Sequence, residues 1–230
     1  MNIEIFADGA NKNTMLELAR SPMIRGFTTN PSLMRKAGVT DYEVWAKDIL
    51  SEITEHPISF EVIADEFEEM ERQAIKISSW GRNVFVKIPI TNTRGESSCD
   101  LIHKLSARWI KLNITAVFTA YQVHIAAASL GSKTTSFVSV FAGRIADTGH
   151  DPLNFVGHSL KILQPNQKLI WASPREVLNV YQADAIGCHA ITCTTDILYK
   201  LQLKGKDLLD YSQETVQMFY DDALASGLKL

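Results

Sequence analysis

Eight short runs rich in β-branched and aromatic residues recur along the chain, each followed by a stretch with helical spacing, and this alternation constrains the fold more than any other feature. The runs cover residues 3–8, 26–30, 58–63, 84–90, 112–118, 135–141, 168–173 and 189–193. Between them lie good helix formers with apolar residues one turn apart, such as Trp45, Ile49 and Ile53, or Met70, Ala74 and Ile77. Strands that alternate with helices pair in parallel through right-handed crossovers, and closing eight of them removes both sheet edges. The expectation is an α/β fold, a (β/α)8 TIM barrel in a single domain over residues 1–230. A further C-terminal helix at about 207–225 carries Leu208, Leu209, Tyr211, Val216 and Phe219. The competitor is an open doubly wound sheet. It usually declares itself by a Gly-rich turn after the first strand, and neither G-x-G-x-x-G nor a P-loop pattern occurs here.

Composition narrows the function classes. The 230 residues are 46% hydrophobic and 21% charged, enough apolar material for one barrel core. With 23 basic against 26 acidic residues the net charge is -3, so nothing marks a nucleic-acid backbone or an anionic membrane as partner, and an anionic ligand must be held locally. Cys99, Cys188 and Cys193 lack the number and spacing of a disulfide framework or zinc site. With no targeting pattern at the start and no apolar run of membrane-spanning length, the expectation is a cytoplasmic protein. Asn113-Ile114-Thr115 matches a glycosylation acceptor, but lies within an expected strand and is read as unmodified.

In such a barrel, polar inward side chains at the C-terminal ends of strands carry the chemistry. Lys87 is the clearest intruder: Val84, Val86, Ile88 and Ile90 share one face of their strand, and Lys87 lies on the other. An ammonium taken out of water must pair with carboxylates or lose its proton more readily. Either outcome suits amine chemistry, although a strand-end lysine can also snorkel to solvent. Two acids stand at other strand ends, Asp8 and Glu61. Singly, Asp8 could be a helix cap and Glu61 a structural partner of Lys87. Asn113 and Thr115 share one strand face, as do Ser139 and Phe141. An amine, two carboxylates, an amide and hydroxyls converging on one barrel mouth are hard to explain as packing.

A second group of residues points to an anion site. Ser173-Pro174-Arg175-Glu176 offers an N-cap residue, proline at the first helical position and glutamate three residues after the cap, so a helix is expected to start directly after the seventh run. Phosphate sites in these barrels often form there, at a helix N-terminus. Arg175, with Arg144 just past the sixth run, would supply the counter-charge.

In order along the chain, Phe6-Ala7-Asp8-Gly9-Ala10-Asn11, Gly26-Phe27-Thr28-Thr29-Asn30-Pro31-Ser32-Leu33, Val86-Lys87-Ile88-Pro89, Asn113-Ile114-Thr115, Phe141-Ala142-Gly143-Arg144 and Ala172-Ser173-Pro174-Arg175 resemble the motifs of transaldolases. The likeness is to the short transaldolase and fructose-6-phosphate aldolase-like branch and runs from about residue 3 to about 200. It implies a class I mechanism without metal or organic cofactor. Lys87 would form a Schiff base with a ketose phosphate, fructose 6-phosphate or sedoheptulose 7-phosphate. Asp8 would take the C4 hydroxyl proton, and Glu61 and Thr115 would hold the relaying water. Asn30 and Asn113 would bond donor hydroxyls, with Thr28, Ser139 and Phe141 lining the same site, while Arg144, Ser173 and Arg175 would bind phosphate. The partners implied are small sugar phosphates of the pentose phosphate pathway, with no nucleic acid and no membrane, and a homo-oligomer.

Three positions favour transfer over simple aldol cleavage. The aldolase branch carries glutamine in place of Glu61, glycine in place of Asn113 and tyrosine in place of Phe141, and here all three follow the transaldolase pattern. An aldolase releasing free dihydroxyacetone and a non-catalytic sugar-phosphate-binding module are the alternatives. Gly9 and Val140 depart from the family's usual threonine and proline, which leaves the physiological sugars open.

Overall fold

The computed structural model describes residues 1–227 and 229. These fall into two compact units, Met1–Leu198 and Tyr199–Leu230. In the first, β1 (Glu4–Asp8), β2 (Ile24–Thr28), β3 (Ile58–Glu61), β4 (Val84–Pro89), β5 (Leu112–Val117), β6 (Ser136–Val140), β7 (Gln167–Trp171) and β8 (Ala190–Thr194) form a closed barrel in chain order. Every pairing is parallel, and β8 returns against β1 with Phe6 opposite Thr192 and Asp8 opposite Thr194. The expected (β/α)8 architecture is the one that forms, and the open sheet is excluded.

The helices follow in the order α1 (Lys12–Ala19), α2 (Pro31–Lys36), α3 (Tyr42–Glu52), α4 (Phe67–Ser78), α5 (Cys99–Ala107), α6 (Ala120–Ser129), α7 (Ala142–Asp147), α8 (Pro152–Leu160), α9 (Leu178–Ala185) and α10 (Thr195–Lys200). Their starts are chemically marked. Asn11, Asn30, Asp41 and Thr119 each turn a side-chain oxygen onto a free amide of the first turn. The second unit contains a 3-10 turn, Leu201–Leu203, and α11 (Leu208–Ser226), capped by Asp207. No residue of α11 is buried, and Leu208, Leu209, Val216 and Phe219 are exposed. Among the described residues no helix is long and apolar enough to cross a membrane.

The barrel interior is what positions the site. Phe6, Phe85, Phe137, Ile170 and Ala190 pack as one buried cluster, with the Phe85 and Phe137 rings 4.6 Å apart and Phe6 edge-on to Phe137 at 5.5 Å. Each large apolar side chain so buried contributes about 1.5–3 kcal/mol. Gly26 makes room for this plug, since a Cβ there would lie 2.7 Å from the Phe6 ring. Side chains two residues apart share a strand face. The residues two positions beyond the plug are Asp8, Lys87, Ser139, Ala172 and Thr192. An apolar floor thus carries a largely polar layer directly above it, at the C-terminal end of the barrel.

Candidate active site

Lys87 enters this layer from β4 and is 5% exposed. Its ammonium donates to the Thr29 carbonyl at 2.9 Å and lies 3.2 Å from Glu61 Oε2. The register explains the pairing, because Glu61 on β3 and Asn113 on β5 are the direct neighbours of Lys87. Burial is therefore met by a carboxylate and a carbonyl, the snorkelling alternative does not hold, and Glu61 is within reach to receive a proton from the amine.

Asp8 ends β1 in the same interior. Capping of α1 falls to Asn11, so Asp8 is free of that structural duty. One carboxylate oxygen, Oδ1, accepts from Thr28 Oγ1 at 2.6 Å. Burial raises the Asp8 pKa above the ordinary carboxyl value. Lys87 and then the Thr28 hydrogen bond pull it back, while Glu61 pushes it up. A carboxyl raised in this way is suited to accept and return a proton.

The remaining polar groups are held in fixed orientations. Asn113 is fully buried, which excludes the glycosylation reading. Its Nδ2 donates to Ser59 Oγ at 3.0 Å and its Oδ1 accepts from Ser139 Oγ at 2.7 Å. Thr115 Oγ1 is buried and bonds to no protein group, so it is available to water or ligand. Asn30 gives its Oδ1 to the Leu33 amide at 2.9 Å as the cap of α2, which leaves its two amide protons to donate to a ligand. A cavity of about 140 Å³ opens among Asp8, Thr28, Asn30, Lys87, Thr115, Ser139, Phe141, Arg144, Ser173 and Arg175. Of the expected site residues, Glu61 and Asn113 do not line it, and they act on it through Lys87 and Ser139.

The anion side departs from expectation in one respect. The helix after β7 starts at Leu178, not directly after Ser173, and no capping box forms. Ser173 adopts a left-handed backbone, φ 61°, and its carbonyl folds onto Gly143. The amides of Arg175 and Glu176 are taken instead by Asn179 Oδ1, at 2.8 and 3.3 Å. Contact between α7 and the loop after β7 has overridden the local cap signal. The two arginines nevertheless reach the cavity wall. Arg144 stacks over the Phe141 ring at 5.2 Å, and Arg175 is tied to Asp147, with Nε 3.0 Å from Oδ1. Stacking holds the one guanidinium, and the Asp147 carboxylate holds the other by its Nε and Nη2 edge.

Sequence reasoning missed Ser59, Thr192 and Thr194 as parts of the site, together with the Thr29 carbonyl. Thr192 and Thr194 line the cavity, and Thr192 Oγ1 lies 2.6 Å from Thr28 Oγ1. Their alternation with Ile191 and Cys193 places them on the inward face, a signal present in the sequence but unremarkable for a strand.

Comparison with known proteins bears on the fold and the family. Residues 5–228 match the family model described as Transaldolase/Fructose-6-phosphate aldolase. A probable transaldolase of Thermoanaerobacter sp. (strain X514) is 33% identical over 99% of this chain and 100% of its own length. One from Desulforudis audaxviator (strain MP104C) is 34% identical over 96% and 97%. One from Methanococcus maripaludis (strain C5 / ATCC BAA-1333) is 34% identical over 86% and 89%. A designed cube-shaped, porous protein cage made by fusing symmetric oligomeric domains superposes with a TM-score of 0.56 over 99% of this chain and 81% of that one; at 8% identity this speaks to the fold alone. With a family model matched over residues 5–228 and relatives at 33–34% identity covered over most or all of their length, the chain belongs to the transaldolase/fructose-6-phosphate aldolase family.

Proposed function

We propose that the chain is a transaldolase that moves a dihydroxyacetone unit from a ketose phosphate, fructose 6-phosphate or sedoheptulose 7-phosphate, to an aldose phosphate through a Schiff base on Lys87. The observation that carries this reading is the Lys87 ammonium, buried in the barrel 3.2 Å from Glu61 and sharing its cavity with Asp8. After passing a proton toward Glu61, the amine adds to the ketone carbon, and loss of water leaves a protonated imine. Asp8 takes the C4 hydroxyl proton, the C3–C4 bond breaks, and its electron pair moves into the imine to give an enamine while the aldose leaves. The enamine adds to the incoming aldehyde, and hydrolysis frees the new ketose and the lysine. Arg144 and Arg175 grip the phosphate at the far end.

Phe141 supports transfer over release. Its ring presents no hydroxyl to protonate the enamine, so the intermediate persists until an acceptor arrives. By the same reading the chain works in the cytoplasm on pentose phosphate pathway sugars, without metal or organic cofactor. It does so as a homo-oligomer in which the exposed apolar residues of α11 meet a neighbouring copy.

Borohydride reduction in the presence of fructose 6-phosphate tests the proposal. A three-carbon adduct is expected on Lys87, none on the Lys87→Met variant, and no turnover by that variant although its circular dichroism remains that of a folded barrel. Saturable sugar phosphate binding with no adduct would identify a binding module instead. Release of dihydroxyacetone without acceptor, faster than transfer to erythrose 4-phosphate, would identify an aldolase.

A further inference from the structure

We propose that Thr192 is a positioning residue, which acts through Thr28 to hold the Asp8 carboxylate in the pose that accepts the substrate proton. The inference deepens the transaldolase reading and rests on its assignment of Asp8 as base.

The geometry fixes a direction of hydrogen bonding. Thr28 Oγ1 is 2.6 Å from Asp8 Oδ1 and also 2.6 Å from Thr192 Oγ1. A hydroxyl has one proton and two lone pairs, and an ionised carboxylate only accepts. The Thr28 proton is therefore committed to Asp8, and on the other contact Thr192 must donate. The chain runs from Thr192 to Thr28 to Asp8, across β8, β2 and β1, with β1 lying between its two partners in the barrel. Both hydroxyls are almost fully buried, Thr28 at 2% and Thr192 at 4% exposure. In such surroundings successive hydrogen bonds polarise one another, so donation by Thr192 strengthens donation by Thr28. Because the chain engages Oδ1, the second oxygen of Asp8 is left for the substrate hydroxyl.

Removing the first donor weakens the second bond and destabilises the charged form of Asp8. The other titratable groups around Asp8 are Lys87 on β4, Glu61 on β3 and Cys193 on β8, with Arg144 and Arg175 lining the same cavity and Lys36 of α2 and Asp196 of α10 lining a second cavity that Asp8 also borders. Thr192 touches none of them among the hydrogen bonds described. Burial pushes the Cys193 thiol up to about 12, so it carries no charge in the working range. A shift of the acidic limb on loss of Thr192 therefore reports on Asp8.

The test compares Thr192→Val, Thr192→Ala and Thr192→Ser in transfer from fructose 6-phosphate to erythrose 4-phosphate, followed as kcat/KM against pH. Loss of the donor in Val and Ala is expected to lower kcat/KM roughly 3–10-fold and to move its acidic limb upward by roughly half a unit to one unit, while Ser restores both. Asp8→Asn and Lys87→Met run in parallel and are expected to be inactive. Val and Ala variants whose acidic limb is not raised would overturn the relay, even if their rates fall, because packing loss alone admits water to a carboxylate raised by burial and moves that limb downward. Turnover surviving in Asp8→Asn or Lys87→Met would overturn the underlying mechanism instead. Using both Val and Ala guards against one of them failing to fold.

Discussion

Replacing Gly143 by alanine tests how the proposed phosphate side of the cavity is built. A Cβ at this position would lie 1.5 Å from the Ser173 carbonyl oxygen and 2.6 Å from its carbon. Non-bonded heavy atoms are comfortable at roughly 3.5 Å, so the loop after β7 must retreat by about 2 Å. It cannot do so locally. Gly143 is buried in α7, its amide faces the Ala172 carbonyl at 3.4 Å, and Arg175, two residues past Ser173, is tied to Asp147 at the end of α7. Overpacking of this kind costs about 1–3 kcal/mol, which for a domain of this size lowers Tm by roughly 2–12 °C. Retreat of the loop also carries Ser173 and Arg175 away from the phosphate, and misplacing a binding group by 1 Å can cost on the order of 100-fold. The expected outcome for Gly143→Ala is a lower Tm by differential scanning fluorimetry and a kcat/KM for fructose 6-phosphate down by about two orders of magnitude, mostly through KM. Borohydride labelling of Lys87 by dihydroxyacetone, which has no phosphate, should continue. A variant with the wild-type Tm and KM would refute the packing argument. Equal loss of labelling by the phosphate-free ketone would refute the separation between the phosphate grip and the lysine.

Phe141→Tyr adds a hydroxyl beside the cavity without disturbing the ring contacts to Phe118 at 5.5 Å and to Arg144. Release of dihydroxyacetone relative to transfer to erythrose 4-phosphate should rise by about 10-fold or more, given what a placed proton donor contributes; an unchanged ratio would remove Phe141 from control of the intermediate's fate. Asp8→Asn should be inactive yet more stable than the parent at pH 8. The folded-state pKa of Asp8 lies above its unfolded value, so ionised Asp8 penalises folding at high pH, and the penalty fades as pH falls through the folded pKa toward the unfolded value near 3.8. Urea unfolding should show the stability gain at pH 8 and its loss at acidic pH, and a variant less stable than the parent at pH 8 would contradict the sign.

The barrel was legible because its strands carry apolar outer faces, and β1, β4 and β6 add a second signal, an inner face that changes from aromatic at Phe6, Phe85 and Phe137 to polar at Asp8, Lys87 and Ser139. The second strand shows where that reading slips. Residues 26–30 look like the strand, but β2 covers Ile24–Thr28. Thr29 and Asn30 have strong local appeal as an extended pair, yet Asn30 leaves the sheet to cap α2, with Pro31 at the first helical position. That stop was written in Asn-Pro-Ser and outweighs the β-propensity of two threonines. At Ser173 the same kind of cap signal led the other way, because the deciding partner, Gly143, lies 30 residues earlier in the chain and no local rule connects the two.

Within the site, visibility in the sequence follows the cost of burial. An ammonium or carboxylate inside a barrel must find a partner or surrender its charge, so Lys87, Asp8 and Glu61 contrast with their strands and are noticed. Threonine is a favoured strand residue, and its hydroxyl is inexpensive to bury once one hydrogen bond is made. Thr192 therefore looks like an ordinary β-former, and Thr28 stands out only through the motif it shares with transaldolases, although their two 2.6 Å contacts lead directly to the carboxylate. Ser59 hides for the same reason, while together with Ser139 it fixes both ends of the Asn113 amide. In the proposed mechanism the charged residues of this barrel supply the reacting groups and the hydroxyls aim them. A search for sites by unusual residues will find the first kind and pass over the second, which only the closed register of the strands brings into line.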